Sequence, residues 1–275
     1  MLTIFSIPRA FKGQFDYIQR NAILSWKKVL PECEIILFGN EEGVGEAAKE
    51  LGVKHISEVK LNECGTPLIN DLFDKAQREA SFSIMFYINS DIILTGNIIK
   101  QISKIKKEKF LLIGRRTDVD VKDIVDLENL DDLIEKGELH GFSGIDYFIF
   151  PKGFFGEIPP FALGRTAWDN WFLYRARYLK APLIDATEVI KILHQNHDYS
   201  HHKKGQKGVW KGPESKINLE LAGGHSHLLT IRDANWVLSN KGLKKPPFPR
   251  NILSSISMFY PWRLFLSIKR KIICK

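Results

Sequence analysis

The chain has 275 residues, 44% hydrophobic and 26% charged, enough for one large core with a small appendage. Its formal net charge of +8 resides in residues 241–275, which hold nine Lys or Arg and no acid; the other 240 residues carry 31 basic against 32 acidic groups. That distribution excludes a broad nucleic-acid-binding face on the body, and no stretch approaches the roughly 20 apolar residues of a membrane span. The opening MLTIFSIPRAFKG lacks the basic and long apolar regions of a secretory signal and reads as a first strand over 2–7. Phe15, Ile18, Ala22, Ile23, Trp26 and Val29 recur at helical spacing over 14–30, and Pro31 closes that helix. A strand over 34–38 ends at the turn Gly39-Asn40, followed by a helix over 45–51 and a strand over 53–56. Thr66-Pro67 predicts a helix through Ala80, with Thr as N-cap and Pro in the first turn. Next come a strand over 83–88, a basic amphipathic helix over 98–107 and a strand over 110–113. The second half is less regular: an acidic helix over 126–136, strands over 147–150 and 183–185, an aromatic and Arg-rich helix over 167–178, and a loop over 205–213.

Strands alternating with helices predict an α/β fold, a mainly parallel sheet flanked by helices on both faces. We read one domain over 1–240 and a basic extension over 241–275, hinged at Pro246, Pro247 and Pro249. The extension mixes Ile252, Leu253, Ile256, Met258, Phe259, Tyr260, Trp262, Leu264, Phe265 and Ile268 with its charges, the composition of an interfacial helix on an anionic leaflet. Docking of the same residues onto the body is the alternative. Cys33, Cys64 and Cys274 are odd in number and in no metal-binding spacing, and read as buried or free thiols in a reducing cytoplasm.

The segment FSIMFYINSDIIL, residues 82–94, carries the most chemistry. An apolar strand delivers Asn89-Ser90-Asp91 to its carboxyl end, the edge of an open α/β sheet where ligands bind. A carboxylate beside an amide and a hydroxyl suits a hard divalent cation that itself holds a phosphate; a capping Asp at a turn is the alternative. Later, His194, His197, His201 and His202 crowd one segment, and imidazole beside carboxylate favours Mn²⁺ over Mg²⁺. His194-x-x-His197 with Asp198 is the zinc alternative.

In this order the features resemble the nucleotide-sugar-dependent glycosyltransferases of the GT-A fold. The blocks GIDYFIFP, GRTAWDNWFLYRAR, IDATEV and HQNHDYSH resemble those of a bacterial group with that fold, over roughly residues 1–235. The resemblance implies that Asn89-Ser90-Asp91 stands where the family has Asp-x-Asp, with Asn at the first position. Asp91 then meets the metal, and a late histidine, His197 or else His194, completes the site; His201 and His202 are read as solvated. It places Asp169 as the base that activates an acceptor hydroxyl in inverting members, between Trp168 and Trp171 as stacking faces for the acceptor sugar. Asp146 is the other acid expected to touch sugar. Pro8, Arg9 and Asn40 stand where such folds hold the nucleobase, Asn89 near a ribose or sugar hydroxyl, and Arg115 and Arg116 where guanidiniums neutralise diphosphate; Asp71 is a further donor candidate. The implied partners are a nucleoside diphosphate sugar, a UDP-sugar first, and a glycan or lipid-linked acceptor. The basic tail over 241–275 points to surface-glycan synthesis in the cytoplasm, peripheral on the inner face of the membrane. A sugar-phosphate nucleotidyltransferase and a non-catalytic carbohydrate-binding protein are the rival readings. The first normally opens with a Gly-rich loop that Ile7-Pro8-Arg9-Ala10-Phe11 lacks; Asn89 gives the second its standing.

Overall fold

A computed structural model describes residues 1–197 and 210–259. In chain order the strands are β1 (Thr3–Ser6), β2 (Glu34–Phe38), β3 (Lys54–Ile56), β4 (Ile84–Ile88), β5 (Ile92–Leu94), β6 (Leu111–Ile113), β7 (Thr117–Val119), β8 (Glu138–Leu139), β9 (Tyr147–Pro151), β10 (Leu183–Asp185), β11 (Ile192–Gln195), β12 (Trp236–Ser239) and β13 (Gly242–Lys244). The helices are α1 (Gln14–Val29), α2 (Val44–Leu51), α3 (Ile69–Glu79), α4 (Ile98–Ile102), α5 (Asp131–Lys136), α6 (Trp168–Tyr178), α7 (Pro213–Leu221) and α8 (Arg250–Ile256).

A nine-stranded sheet runs β13-β12-β10-β6-β9-β4-β1-β2-β3. Its pairs are parallel except where β9 lies antiparallel between β4 and β6, and where β13 folds back on β12. The expected α/β architecture, a mostly parallel sheet covered on both faces, is therefore what the chain forms. Its central strands read as unbroken apolar runs because both faces are buried, yet alternate residues still go to opposite sides. Phe5, Met85, Tyr87, Phe148 and Phe150 enter one core with α3 and α6. Ile4, Phe86, Ile88, Tyr147 and Ile149 enter the other with α1. The first core is strongly aromatic: Phe73 stacks on Phe150 at 5.7 Å and on Phe172 at 4.9 Å.

A smaller sheet, β5-β11-β7-β8, was not predicted. Its strands are two to four residues long, too short for periodicity to reveal. Several boundaries also differ. α3 begins at Ile69, not Thr66, because Pro67 and Leu68 are spent on β-bridges to Leu61 and Ala162. Asn62 Oδ1 meanwhile accepts the amides of Cys64 and Thr66, fixing that loop in place of a helical turn. α4 stops at Ile102, after which the amides of Lys104 and Ile105 turn to carbonyls three residues back. The acidic stretch is helical only over Asp131–Lys136.

The sheet continues past Lys241: β13 pairs with β12, and Arg250 at the start of α8 meets buried Asp185 at 2.7 Å. Residues 242–256 are thus built onto the body. Within the described residues Phe248, Ile252 and Phe259 are exposed, and no helix is long and apolar enough to cross a membrane. The expected interfacial residues Tyr260 to Ile268 and Cys274 lie outside the described residues, as do Asp198, His201, His202 and most of the 205–213 loop. Cys33 and Cys64 are free thiols.

Candidate metal and base site at the carboxyl edge of β4

Two registers assemble the site. In the large sheet Ile88 pairs with Tyr147, so the next residues out, Asn89 and Asp146, face each other across the strand ends. The amide of Asn89 donates to the Asp146 carbonyl at 2.9 Å, and its side-chain Nδ2 donates to Asp146 Oδ1 at 2.9 Å. The Tyr87 hydroxyl donates to Asn89 Oδ1 at 3.0 Å. In the small sheet His194 pairs with Ile92 on one side and with Asp118 on the other. This sheet carries the late histidine back to the acidic loop.

Asp91, His194 and His197 each offer a ligand atom, all within 4.8 Å of one another. His197 Nε2 lies 3.1 Å and His194 Nε2 3.7 Å from Asp91 Oδ2. Among the described residues Asp91 Oδ1 is buried with no hydrogen-bond partner. A buried, unpartnered carboxylate oxygen beside two imidazole nitrogens fits a divalent cation, which removes the desolvation cost of that oxygen. Burial opposes ionisation of Asp91, but the His194 charge, the His197 contact and Arg116 outweigh it and hold the carboxyl well below the ordinary carboxylate range.

Behind these candidate ligands stands a group the sequence reading missed. Asp118 on β7 lies 3.1 Å from His194 Nδ1, accepts from Arg116 Nε at 2.8 Å, and meets His140 Nδ1 at 2.6 Å. Carboxylates in this position orient metal-binding histidines. Burial resists the Asp118 charge, yet His194, His140 and Arg116 hold its carboxyl well below the ordinary range. A signal was present: Thr117-Asp118-Val119-Asp120-Val121 alternates as a half-buried strand does. Buried polar residues of α1 lock the loop from below. Gln195 Nε2 donates to the carbonyls of Ile18 and Asp91, Asn21 donates to Gln195 Oε1, and Trp26 Nε1 donates to the Ile92 carbonyl at 2.8 Å.

Arg116 faces inward, its Nη1 donating to both Asp146 oxygens at 3.0 and 3.1 Å. Arg115 turns away, donating to the carbonyls of His140 and Leu139. The two guanidiniums expected to act together are thus split.

Asp169 sits half-buried in the first turn of α6, just after Ala167, whose φ of 86° is a conformation that L-residues rarely hold. Burial pushes its carboxyl up to about 7, assisted by the Asp146 charge and opposed by the amide of Asn170. Asp91, Asp146 and Asp169 all act on one side chain: after burial, their three charges push the Tyr87 phenol up.

Trp168 and Trp171, expected as acceptor faces, are instead core residues at 6% and 7% exposure. Trp168 packs on Tyr87 and Phe148, and Trp171 on Phe161 and Phe172. Their large apolar area is worth more inside than at a wet rim. Asp71 is also committed elsewhere, accepting from the Lys60 amide at 2.7 Å and pairing with Lys75 at 3.0 Å. Arg9 does border the site: Gln19 clamps its backbone and also accepts from Ser90, and its guanidinium lies over Phe15, whose ring packs against His197. Pro8 is buried beside it, and Asn40 is exposed at the end of β2.

No protein-family model matches the chain, and no curated protein matches it. Among solved structures, S. aureus TarS 1-349 in complex with UDP-GlcNAc is 13% identical, with 71% of this chain and 59% of that one covered at a TM-score of 0.45. The structure of S. aureus TarS gives 14% identity, 71% and 35% coverage, and a TM-score of 0.42. A protein of Desulfovibrio desulfuricans G20, provisionally named a nucleotide-diphospho-sugar transferase, is 10% identical over 81% of this chain and 95% of that one, at 0.43. The chain spans between 35% and 59% of the length of these TarS structures.

Proposed function

We propose that this chain is a divalent-metal-dependent glycosyltransferase that moves a sugar from a nucleoside diphosphate sugar, a UDP-sugar first, to a hydroxyl acceptor. The observation that supports it is the convergence, at one sheet edge, of a metal-competent Asp91–His194–His197 group with a second carboxyl, Asp169, raised to about 7. Asp91 and the two histidines would hold the ion, with Mn²⁺ preferred over Mg²⁺ because two of the three donors are imidazole nitrogens. When bound, such an ion neutralises the charge that collects on a departing diphosphate.

The chain's own residues divide the remaining work. Asp118, 3.1 Å from His194 Nδ1, would orient that ring with Nε2 towards Asp91. Asn89 and Arg116 hold Asp146 at the sugar side of the site. Asp169, poised near neutrality, accepts the proton of the acceptor hydroxyl as the anomeric carbon is attacked, which makes the reaction inverting. The basic, apolar segment after residue 241 supports an acceptor at an anionic membrane surface, as in surface polysaccharide or glycolipid synthesis.

The test is a thermal-shift panel of UDP, GDP, CMP and dTDP, each with and without Mn²⁺. One nucleotide at about 100 times its Kd should stabilise the wild type by roughly 2.7 kcal/mol. The response should require Mn²⁺ and vanish in Asp91→Ala. A flat response to all four nucleotides would overturn the proposal in favour of a carbohydrate-binding protein.

A further inference from the structure

Three guanidiniums surround a single ring outside the metal site. Arg115, Arg232 and Arg250 lie 4.6, 5.0 and 5.5 Å from the centroid of Phe142, which is half-buried in the loop leading to Asp146. Like charges gather this way only if something holds them, and here it is mostly not carboxylate. Arg115 donates to the His140 and Leu139 carbonyls, and Arg250 to the Arg232 and Ile231 carbonyls as well as to Asp185. Among the described residues the exposed Arg232 guanidinium packs on the Phe142 ring and makes no hydrogen bond or ion pair. The two carboxylates nearby are already engaged: Asp185 accepts from Thr187 and Arg250, and Asp233 from the backbone and hydroxyl of Thr230. Three guanidiniums thus stand against two carboxylates, and among the described residues the exposed Arg232 has no carboxylate partner.

Its place in the fold ties it to Asp169 rather than to Asp91. Asn170, next to Asp169, exchanges hydrogen bonds with Leu229 in both directions, and two residues on the Ile231 amide donates to the Phe142 carbonyl. One short segment thus spans from the raised carboxyl to the arginine trio, whereas Arg116 points the other way, to Asp118 and Asp146.

We propose that the arginines around Phe142 form a subsite for a phosphate group carried by the acceptor, a reading that rests on the glycosyltransferase assignment above. The planar fork of Arg232 matches phosphate oxygens in pairs, while Arg115 and Arg250, their forks already donated to carbonyls and to Asp185, add positive charge beside it. The phosphate can come from a soluble phosphate ester or from a lipid headgroup.

Inorganic phosphate titrated into the full chain without divalent metal, followed by calorimetry, reads the subsite directly. Saturable binding is expected in the wild type and in Asp91→Ala, with affinity lowered roughly tenfold in Arg232→Gln. Arg232→Lys, which keeps the charge without the fork, should fall between. Arg232 is exposed, so neither change threatens folding. Equal phosphate affinity in Arg232→Gln and wild type overturns the proposal. So does loss of the Mn²⁺-dependent nucleotide response in Arg232→Gln, which would place the trio on the donor diphosphate. A flat nucleotide panel with phosphate binding intact removes the glycosyltransferase reading but leaves the anion subsite standing. Co-sedimentation with phosphatidylcholine vesicles, with and without phosphatidylglycerol, separates the two sources. A phosphatidylglycerol-dependent loss in Arg232→Gln assigns a lipid headgroup, and unchanged sedimentation with weakened phosphate binding assigns a soluble ester.

Discussion

Replacing Asp169 by Asn is expected to stabilise the protein while disabling it, and the gain should depend on pH. The Asp169 carboxyl is raised from 3.8 to about 7, mainly by burial, so the folded chain holds this proton more tightly than the unfolded chain does. Its contribution to stability is therefore complete below about pH 4, falls as pH rises towards 7, and is flat above. At about 1.4 kcal/mol per pH unit the ionised group costs up to roughly 4 kcal/mol at pH 8. Because Asp169 keeps partial access to solvent, about half of that is the better expectation. Asparagine keeps an oxygen to accept the Asn170 amide and has no charge to bury. Asp169→Asn should then melt roughly 4–8 °C above wild type at pH 8, with a much smaller difference at pH 4. Nucleotide-sugar turnover should fall by about 10²–10⁴-fold, the usual worth of a general base. In the wild type, turnover should decline as pH drops below about 7. A pH-independent Tm difference, or a variant less stable than wild type at pH 8, would refute the claim that Asp169 is held ionised at a cost.

Other changes separate roles within the site. Asp118→Asn removes the carboxylate behind His194 and should weaken Mn²⁺ binding by about 10–100-fold, measured by calorimetry, while nucleotide-sugar specificity stays the same. Trp168→Ala should destabilise the fold by about 3–5 kcal/mol in chemical denaturation, because the ring lies between Tyr87 and Phe148 in the core. If Trp168 were an acceptor platform, Trp168→Ala would raise KM with little loss of stability.

Much of this molecule follows from local pattern. The buried strands 3–6, 34–38 and 84–88 announce themselves as β-branched and aromatic runs closed by turn residues, and α1 by its helical spacing of apolar side chains. The same pattern fixes Asp91 at the carboxyl end of a central strand, and so marks it as a ligand candidate before any partner is known. What sequence order alone left open was contact. His194 reaches Asp91 through β5, β11 and β7, strands of three and four residues whose existence depends on pairing with segments far away in the chain, His194 with Ile92 and with Asp118. Register across that small sheet, not any motif, adds Asp118, and with it His140. Burial likewise is a tertiary property. Trp168 and Asp169 are neighbours in one motif, yet the turn at Ala167 and the packing of α6 send the indole into the core and leave the carboxyl half-buried with a raised pKa. Arg115 and Arg116 read as one guanidinium pair in sequence. Successive side chains leaving β6 for β7 point in opposite directions, so one arginine serves the acids and the other joins the ring of Phe142. Local pattern is enough to bring these residue types to the sheet edge, but which of them meet depends on the whole fold, because short strands and half-buried charges are stable only in its company.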